Sequence, residues 1–102
     1  MTDERRAAKR VTFFAEAELE GMDASHDTVR LADISVAGVF VDVRTVYPPG
    51  TTARLRFSVL GHEIDVLADV RYSMPSFGMG MRFLNLRPED RRVIEDFVAR
   101  AS

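Results

Sequence analysis

Two runs of residues have types and spacings that can bind a small charged molecule. The first is Arg6-Ala-Ala-Lys-Arg10, and the second is Asp33-Ile-Ser-Val-Ala-Gly38. A guanidinium pairs with phosphate through two parallel N–H bonds and also stacks on planar rings. The Asp33 carboxylate can accept hydrogen bonds, the Ser35 hydroxyl can donate or accept them, and Gly38 lets a backbone approach where any Cβ would collide. These residue types suit an anionic ligand that also carries hydrogen-bonding groups.

Each run also has a simpler interpretation. Because 13 of the 14 basic residues are arginine, the spacing of the first run is expected by chance, and it recurs at Arg87 and Arg91. The arginine excess itself fits a GC-rich genome as well as a need for bidentate cations. The second run fits a polar turn in which Asp33 and Ser35 bond local backbone and Gly38 supplies an unusual dihedral angle.

Period-two alternation of apolar and polar residues predicts the strands that position these runs. The predicted strands cover residues 13–20, 28–34, 39–43, 53–59, 64–72 and 77–83. An apolar stripe predicts one helix at about residues 88–101, with Pro88 in its first turn. An antiparallel sheet with such short connections closes into a barrel or a sandwich. The first run then precedes the first strand, and the second lies between the second and third strands.

The alternation also predicts which side chains face outward. Glutamates 16, 18 and 20 share one face of the first strand and make its outer surface acidic. The aromatic residues expected on inward faces are Phe13, Phe57, Tyr72, Phe77 and Phe83. A binder of single-stranded nucleic acid needs exposed aromatic rings interleaved with basic residues, so this pattern disfavours that function.

Length and composition exclude several classes of protein. The 102 residues predict one domain, and a net charge of −2 does not suit a protein that coats nucleic acid. The absence of cysteine removes disulfides, thiolate catalysis and Cys-ligated zinc. No apolar run reaches the ~20 residues of a membrane span, and the first ten residues are polar, so we expect a cytoplasmic protein without membrane insertion.

Signals for catalysis or for a metal are weak. His26 and His62 lie in predicted turns without partners at metal-ligand spacing, and we expect them to be exposed. Asp65 and Asp69 are expected on the solvated outer face of a strand. No nucleophile elbow, phosphate loop or dinucleotide fingerprint occurs in the sequence. We therefore expect no enzyme activity, no catalytic residue, no cofactor and no metal.

Taken in their order and setting, the two runs resemble the PilZ domain, a family of receptors for the bacterial second messenger cyclic diguanylate (cyclic di-GMP). The family pattern is R-x-x-x-R in an N-terminal loop followed by D/N-x-S-x-x-G, and this sequence matches both parts. The stretch Gly78-Met-Gly80-Met-Arg82-Phe83 is similar to a glycine–aromatic stretch of the family. The resemblance covers almost the whole chain, and it implies an all-β fold: a six-stranded antiparallel β-barrel with a C-terminal α-helix packed against it.

The resemblance also implies a binding site for cyclic di-GMP. Its expected ligand-binding residues are Arg6, Arg10, Asp33, Ser35 and Gly38. Arg5 is expected to contact a second ligand molecule if cyclic di-GMP binds as a stacked dimer. Arginine can pair with phosphate or with guanine O6 and N7. Asp33 can accept hydrogen bonds from the N1–H and the exocyclic amine of guanine, whereas adenine presents an acceptor at that edge.

The N-terminal residues suggest how such a site could signal. Residues 1–10 have no apolar anchor before Val11, which predicts a mobile arm that carries the arginines in front of a barrel of residues 11–102. We expect the ligand to order this arm and create a surface for a separate effector protein. The alternative is a PilZ-like adaptor that contacts proteins but binds no nucleotide. A polymeric nucleic acid is not an expected partner, and the oligomeric state is left open.

Overall fold

The computed structural model of this protein describes residues 8–21 and 23–101. Within them, six strands and one helix follow in chain order. They are β1 (Val11–Gly21), β2 (His26–Ile34), β3 (Gly38–Asp42), β4 (Thr52–Val59), β5 (His62–Met74), β6 (Gly78–Phe83) and α1 (Pro88–Ala101). Arg5 and Arg6, and with them most of the predicted N-terminal arm, lie outside the described residues.

The strands form a closed antiparallel barrel in the order β1-β2-β3-β6-β5-β4. Strand β1 pairs with β2 along most of its length, and its last residues, Glu18–Gly21, pair with β4 and close the barrel. The loop of residues 43–51 connects β3 to β4, which lies on the opposite side of the barrel. The predicted fold class, a six-stranded antiparallel barrel with a C-terminal helix, is confirmed.

Alternate residues of the strands fill the interior of the barrel. The largest fully buried apolar side chains include Leu19, Leu31, Ile34, Leu55, Ile64, Met79 and Ile94. Phe13 of β1 lies between Phe57 of β4 and Phe97 of α1, at ring-centroid distances of 6.2 and 5.1 Å. These edge-to-face contacts join the helix to the barrel wall that includes β1 and β4.

A buried carboxylate fixes the first turn of α1. Asp90 is almost completely buried and accepts hydrogen bonds from Arg87 Nε and Nη2 at 3.0 and 2.9 Å. His62 Nε2, at the start of β5, lies 2.8 Å from Asp90 Oδ1. The hydrogen bonds from the Arg87 guanidinium hold the pKa of Asp90 below its usual value. The helix is therefore tied to the β4–β5 hairpin by the contact between Asp90 and His62 as well as by apolar packing.

Two predicted inward-facing rings are in fact outside the barrel. Tyr72 is 50% exposed and Phe77 is 68% exposed. The register of the β5–β6 pair shifts between Val70 and Tyr72, and an extra residue in a strand moves every later side chain to the other face. Phe77 precedes β6, in the turn between the two strands. The argument against nucleic-acid binding therefore fails for these two rings, although Glu16 is exposed as predicted.

Neither histidine lies in a turn, because β2 and β5 begin earlier than the alternation predicted. His26 opens β2 and contacts the Glu18 carboxylate across the β1–β2 ladder. This hydrogen bond, together with one from Thr28, lowers the pKa of Glu18. No helix among the described residues is long and apolar enough to cross a membrane.

Candidate ligand-binding site

The two sequence runs meet on the outer face of the barrel through Arg10 and Asp33. Arg10 directly precedes β1, and Asp33 is the penultimate residue of β2, where it pairs with Thr12. Arg10 Nη1 lies 2.5 Å from Asp33 Oδ1, and their side chains are 44% and 31% exposed. Residues that are 23 positions apart thus form an ion pair that solvent can reach. Antiparallel pairing of β1 with β2 causes this approach, because it sets the start of one strand beside the end of the other.

The turn between β2 and β3 is shaped by Ser35. Its amide donates to the carbonyl of Gly38 at 2.9 Å. Its Oγ accepts hydrogen bonds from the amides of Ala37 and Gly38 at 3.0 and 3.3 Å. Ser35 is fully buried, so its hydroxyl oxygen serves the turn itself. These are the contacts that the polar-turn interpretation of the sequence predicted for Ser35.

Gly38 is required by a close approach between two strands. An added Cβ would lie 2.0 Å from the carbonyl oxygen of Met81 in β6. Gly38 pairs with Arg82 in the β3–β6 ladder, and the next amide, that of Phe83, donates to the carbonyl of Ala37 at 2.9 Å. The turn that carries the second run is therefore held against β6 at a distance that only glycine permits.

A row of aromatic residues continues the site across the outer face. Asp33 pairs with Phe40, Phe40 with Gly80, and Gly80 with Tyr72, so these residues follow one another across β2, β3, β6 and β5. The Phe40 ring lies over Gly78 and the Tyr72 ring over Gly80, where an added Cβ would come within 2.6 and 2.3 Å of ring atoms. The ring centroids are 6.3 Å apart. The sequence analysis did not predict this surface. The feature of the sequence that could have indicated it is the pair of glycines at alternate positions of β6.

The candidate site is an open surface. One shallow depression of about 360 Å³ is lined by Arg30 and Asp42 and their neighbours, and a second of about 500 Å³ lies between β1 and β4. Neither is lined by Arg10 or Asp33, so these two depressions do not coincide with the sequence motifs. The motif residues are the better candidates for ligand binding, because their charges and spacing match a ligand chemistry, whereas the depressions are wide and shallow.

The match to a family model covers most of the chain. Residues 4–100 match the model of the PilZ domain. The chain belongs to the PilZ domain family. A search of curated protein sequences finds no match.

Several solved structures have a similar fold. The inhibitor of motility MotI/DgrA of Bacillus subtilis superposes with a TM-score of 0.78 at 18% identity, over 94% of this chain and 50% of that one. The PilZ domain of YcgR from Escherichia coli, solved with c-di-GMP, superposes with a TM-score of 0.74 at 17% identity, over 95% of this chain and 91% of that domain. The PilZ domain of CeSA from a cellulose-synthesizing bacterium superposes with a TM-score of 0.68 at 18% identity, over 90% of this chain and 96% of that domain. This PilZ chain therefore spans half the length of MotI and nearly all of the two isolated domains.

The structure describes four of the six predicted site residues of this PilZ domain. It brings Arg10 and Asp33 together on the surface, and it places Ser35 and Gly38 in the turn beside them. Arg5 and Arg6 lie outside the described residues. In the part of the chain that the structure describes, no three acidic or histidine side chains group to hold a metal ion.

Proposed function

We propose that this PilZ chain is a cytoplasmic receptor for cyclic di-GMP. The observation that carries the proposal is the contact between Arg10 and Asp33, which joins the two halves of the PilZ motif on one exposed surface. The Escherichia coli YcgR domain, which has this fold, was solved with c-di-GMP. We propose no catalytic role for any residue and no cofactor.

The residues of the site suit the two kinds of group that this ligand presents. Arg10 can pair with a phosphodiester or with O6 and N7 of a guanine. The Asp33 carboxylate can accept from the N1–H and the amine of guanine. Ser35 and Gly38 support the site by fixing the turn between Asp33 and β6. In this scheme Arg6 binds the same ligand as Arg10, and Arg5 contacts a second, stacked molecule.

The proposed signal is the closing of the N-terminal residues over the ligand. Arg10 stands at the junction of these residues with β1, so a ligand held by Arg10 and Asp33 lies next to them. Contacts from Arg5 and Arg6 would then order the segment on the barrel and present a new surface to a separate effector protein.

Calorimetric titration tests the proposal. Cyclic di-GMP is titrated into the wild type, Arg10→Ala and Asp33→Ala, with cyclic di-AMP as the control ligand. Loss of one charge-assisted contact is worth roughly 1.5–3 kcal/mol, so we expect each variant to bind about 10- to 150-fold more weakly. Arg100→Ala is the matched control, since Arg100 pairs with Asp96 near the end of α1. Equal affinity of the wild type, Arg10→Ala and Asp33→Ala would reject the proposal.

One observation favours the alternative of an adaptor that binds no nucleotide. Tyr72, Met74 and Phe77 form an exposed apolar surface near the β5–β6 turn, and such surfaces often contact other proteins. A folded wild-type protein that takes up no cyclic di-GMP in the titration would support this second function.

A further inference from the structure

Arg82 of β6 lies beside the turn that carries the second motif. It stands directly opposite Gly38 in the β3–β6 ladder, and the neighbouring Phe83 amide donates to Ala37. Arg10 reaches the same turn from the other side, through Asp33. Because Gly38 has no side chain, Arg82 has no cross-strand side chain on β3 to pack against. The turn is therefore flanked by one arginine on the β1 side and one on the β6 side.

The Arg82 side chain contacts Asp69 of β5, on the side of β6 away from the turn. Arg82 Nη2 lies 3.1 Å from Asp69 Oδ2, and the two residues are cross-strand partners. The other oxygen, Asp69 Oδ1, is buried and has no hydrogen-bond partner among the described residues. A carboxylate in that position is costly to separate from its cation. Arg82 is therefore anchored through Nη2, while its side chain is 50% exposed and its guanidinium carries further N–H donors.

We propose that Arg82 is a further ligand-binding residue of this site, where it binds a phosphate of the cyclic dinucleotide across the turn from Arg10. The inference rests on the proposed function, because it assigns Arg82 to the same ligand. Arg82 lies on β6, and Asp33, the partner of Arg10, lies on β2, two strand spacings or about 10 Å away. Arginine side chains on either side of the turn at this separation can contact the two phosphodiester groups of one small ligand. In the sequence Arg82 was one of 13 arginines, and only the β3–β6 pairing singles it out.

The test compares two arginine–aspartate pairs that both have their aspartate on β5 and differ in the strand that carries the arginine. Arg54 pairs with Asp65 on the surface, and its strand, β4, is three strands from β3 in either direction. We expect Arg82→Gln to bind cyclic di-GMP about 10-fold more weakly than the wild type in calorimetry, and Arg54→Gln to bind within twofold. Phosphorus NMR of the bound ligand supplies a direct readout, since a phosphate resonance should move between the wild type and Arg82→Gln.

A second variant covers the case in which Arg82→Gln leaves Asp69 unpaired and unfolds the protein. Arg82→Lys keeps a positive charge for Asp69 but lacks the bidentate fork, so we expect wild-type stability with several-fold weaker binding. Wild-type affinity for both Arg82 variants, or an equal loss in Arg54→Gln, would overturn the inference while leaving the proposed function intact. If the wild type itself binds no cyclic di-GMP, the proposed function fails, and the inference fails with it.

Discussion

Replacement of Gly38 by alanine separates the role of this glycine in the fold from a role in binding. The new Cβ would lie 2.0 Å from the carbonyl oxygen of Met81, 3.0 Å from its carbon and 3.1 Å from Cα of Arg82. All three are backbone atoms, so no side-chain rotation relieves the contact. Strand β6 must move back by about 1 Å to approach an ordinary contact distance. That movement weakens the hydrogen bond from Phe83 to Ala37.

The expected loss of stability follows from these two effects. Overpacking of a well-packed interior costs about 1–3 kcal/mol, and a weakened backbone hydrogen bond adds up to about 1 kcal/mol. We expect Gly38→Ala to lower the free energy of unfolding by about 2–3 kcal/mol, which corresponds to a fall in Tm of about 10–20 °C for a domain of this size. Urea and thermal unfolding followed by circular dichroism measure both quantities.

Gly80→Ala is the matched control in the neighbouring strand. The three atoms nearest to its Cβ would all belong to the Tyr72 side chain, with Cε1 at 2.3 Å and Cζ at 2.5 Å, and this exposed ring can swing away. We expect a loss below about 1 kcal/mol, the usual range for surface changes. If Gly38→Ala is as stable as the wild type, or if the two variants are equally destabilised, the explanation of Gly38 by strand approach is refuted. If Gly38→Ala is destabilised as predicted, weaker ligand binding by this variant would be a consequence of the displaced turn and not evidence that Gly38 itself contacts the ligand.

Two further predictions concern α1 and the N-terminal residues. Asp90→Asn should lower stability at neutral pH by about 1.5–3 kcal/mol, because it removes a buried charged acceptor of Arg87 and His62. The lowered pKa of Asp90 means that its stabilisation is present above the unfolded-state pKa of about 3.9 and is lost as the pH falls towards the folded-state value. Urea midpoints should thus fall less steeply below pH 4 in Asp90→Asn than in the wild type, and parallel curves would contradict this. Amide exchange at residues 2–10 should slow when cyclic di-GMP is added, and equal protection in both states would exclude the proposed closing.

The strands and the helix were predictable because burial leaves a periodic trace in the sequence. Alternate residues of each strand face the core, and the stripe that ends with Ala101 follows helical spacing. The face of Tyr72 was not predictable, because the extra residue in β5 after Val70 breaks the period without a glycine or proline to mark it. The contact between His62 and Asp90 was also missed. Residues 28 positions apart carry no local signal that they meet.

The sequence indicated which residues to consider for the candidate site, but it did not indicate what each of them contacts. The sequence offered Ser35 either as a ligand contact or as a turn residue, and both uses need the same hydroxyl. Only the folded backbone shows that two amides converge on that oxygen. Arg82 could not be selected from the sequence, since β6 is far from β3 along the chain and the barrel order brings the two strands together.

The ion pair between Arg10 and Asp33 bears on which ligands the site can accept. Both side chains are partly exposed, and such a pair contributes only about 0.2–1 kcal/mol. A charge-assisted hydrogen bond to a ligand is worth roughly 1.5–3 kcal/mol, so a ligand can displace the pair if it satisfies both partners. A simple anion would satisfy Arg10 but would bring negative charge next to Asp33. A guanine nucleotide supplies an anion for Arg10 and N–H donors for Asp33, whereas an adenine nucleotide lacks the N1–H donor. Under the proposed function, we therefore expect the pair to favour guanine nucleotides over both simple anions and adenine nucleotides.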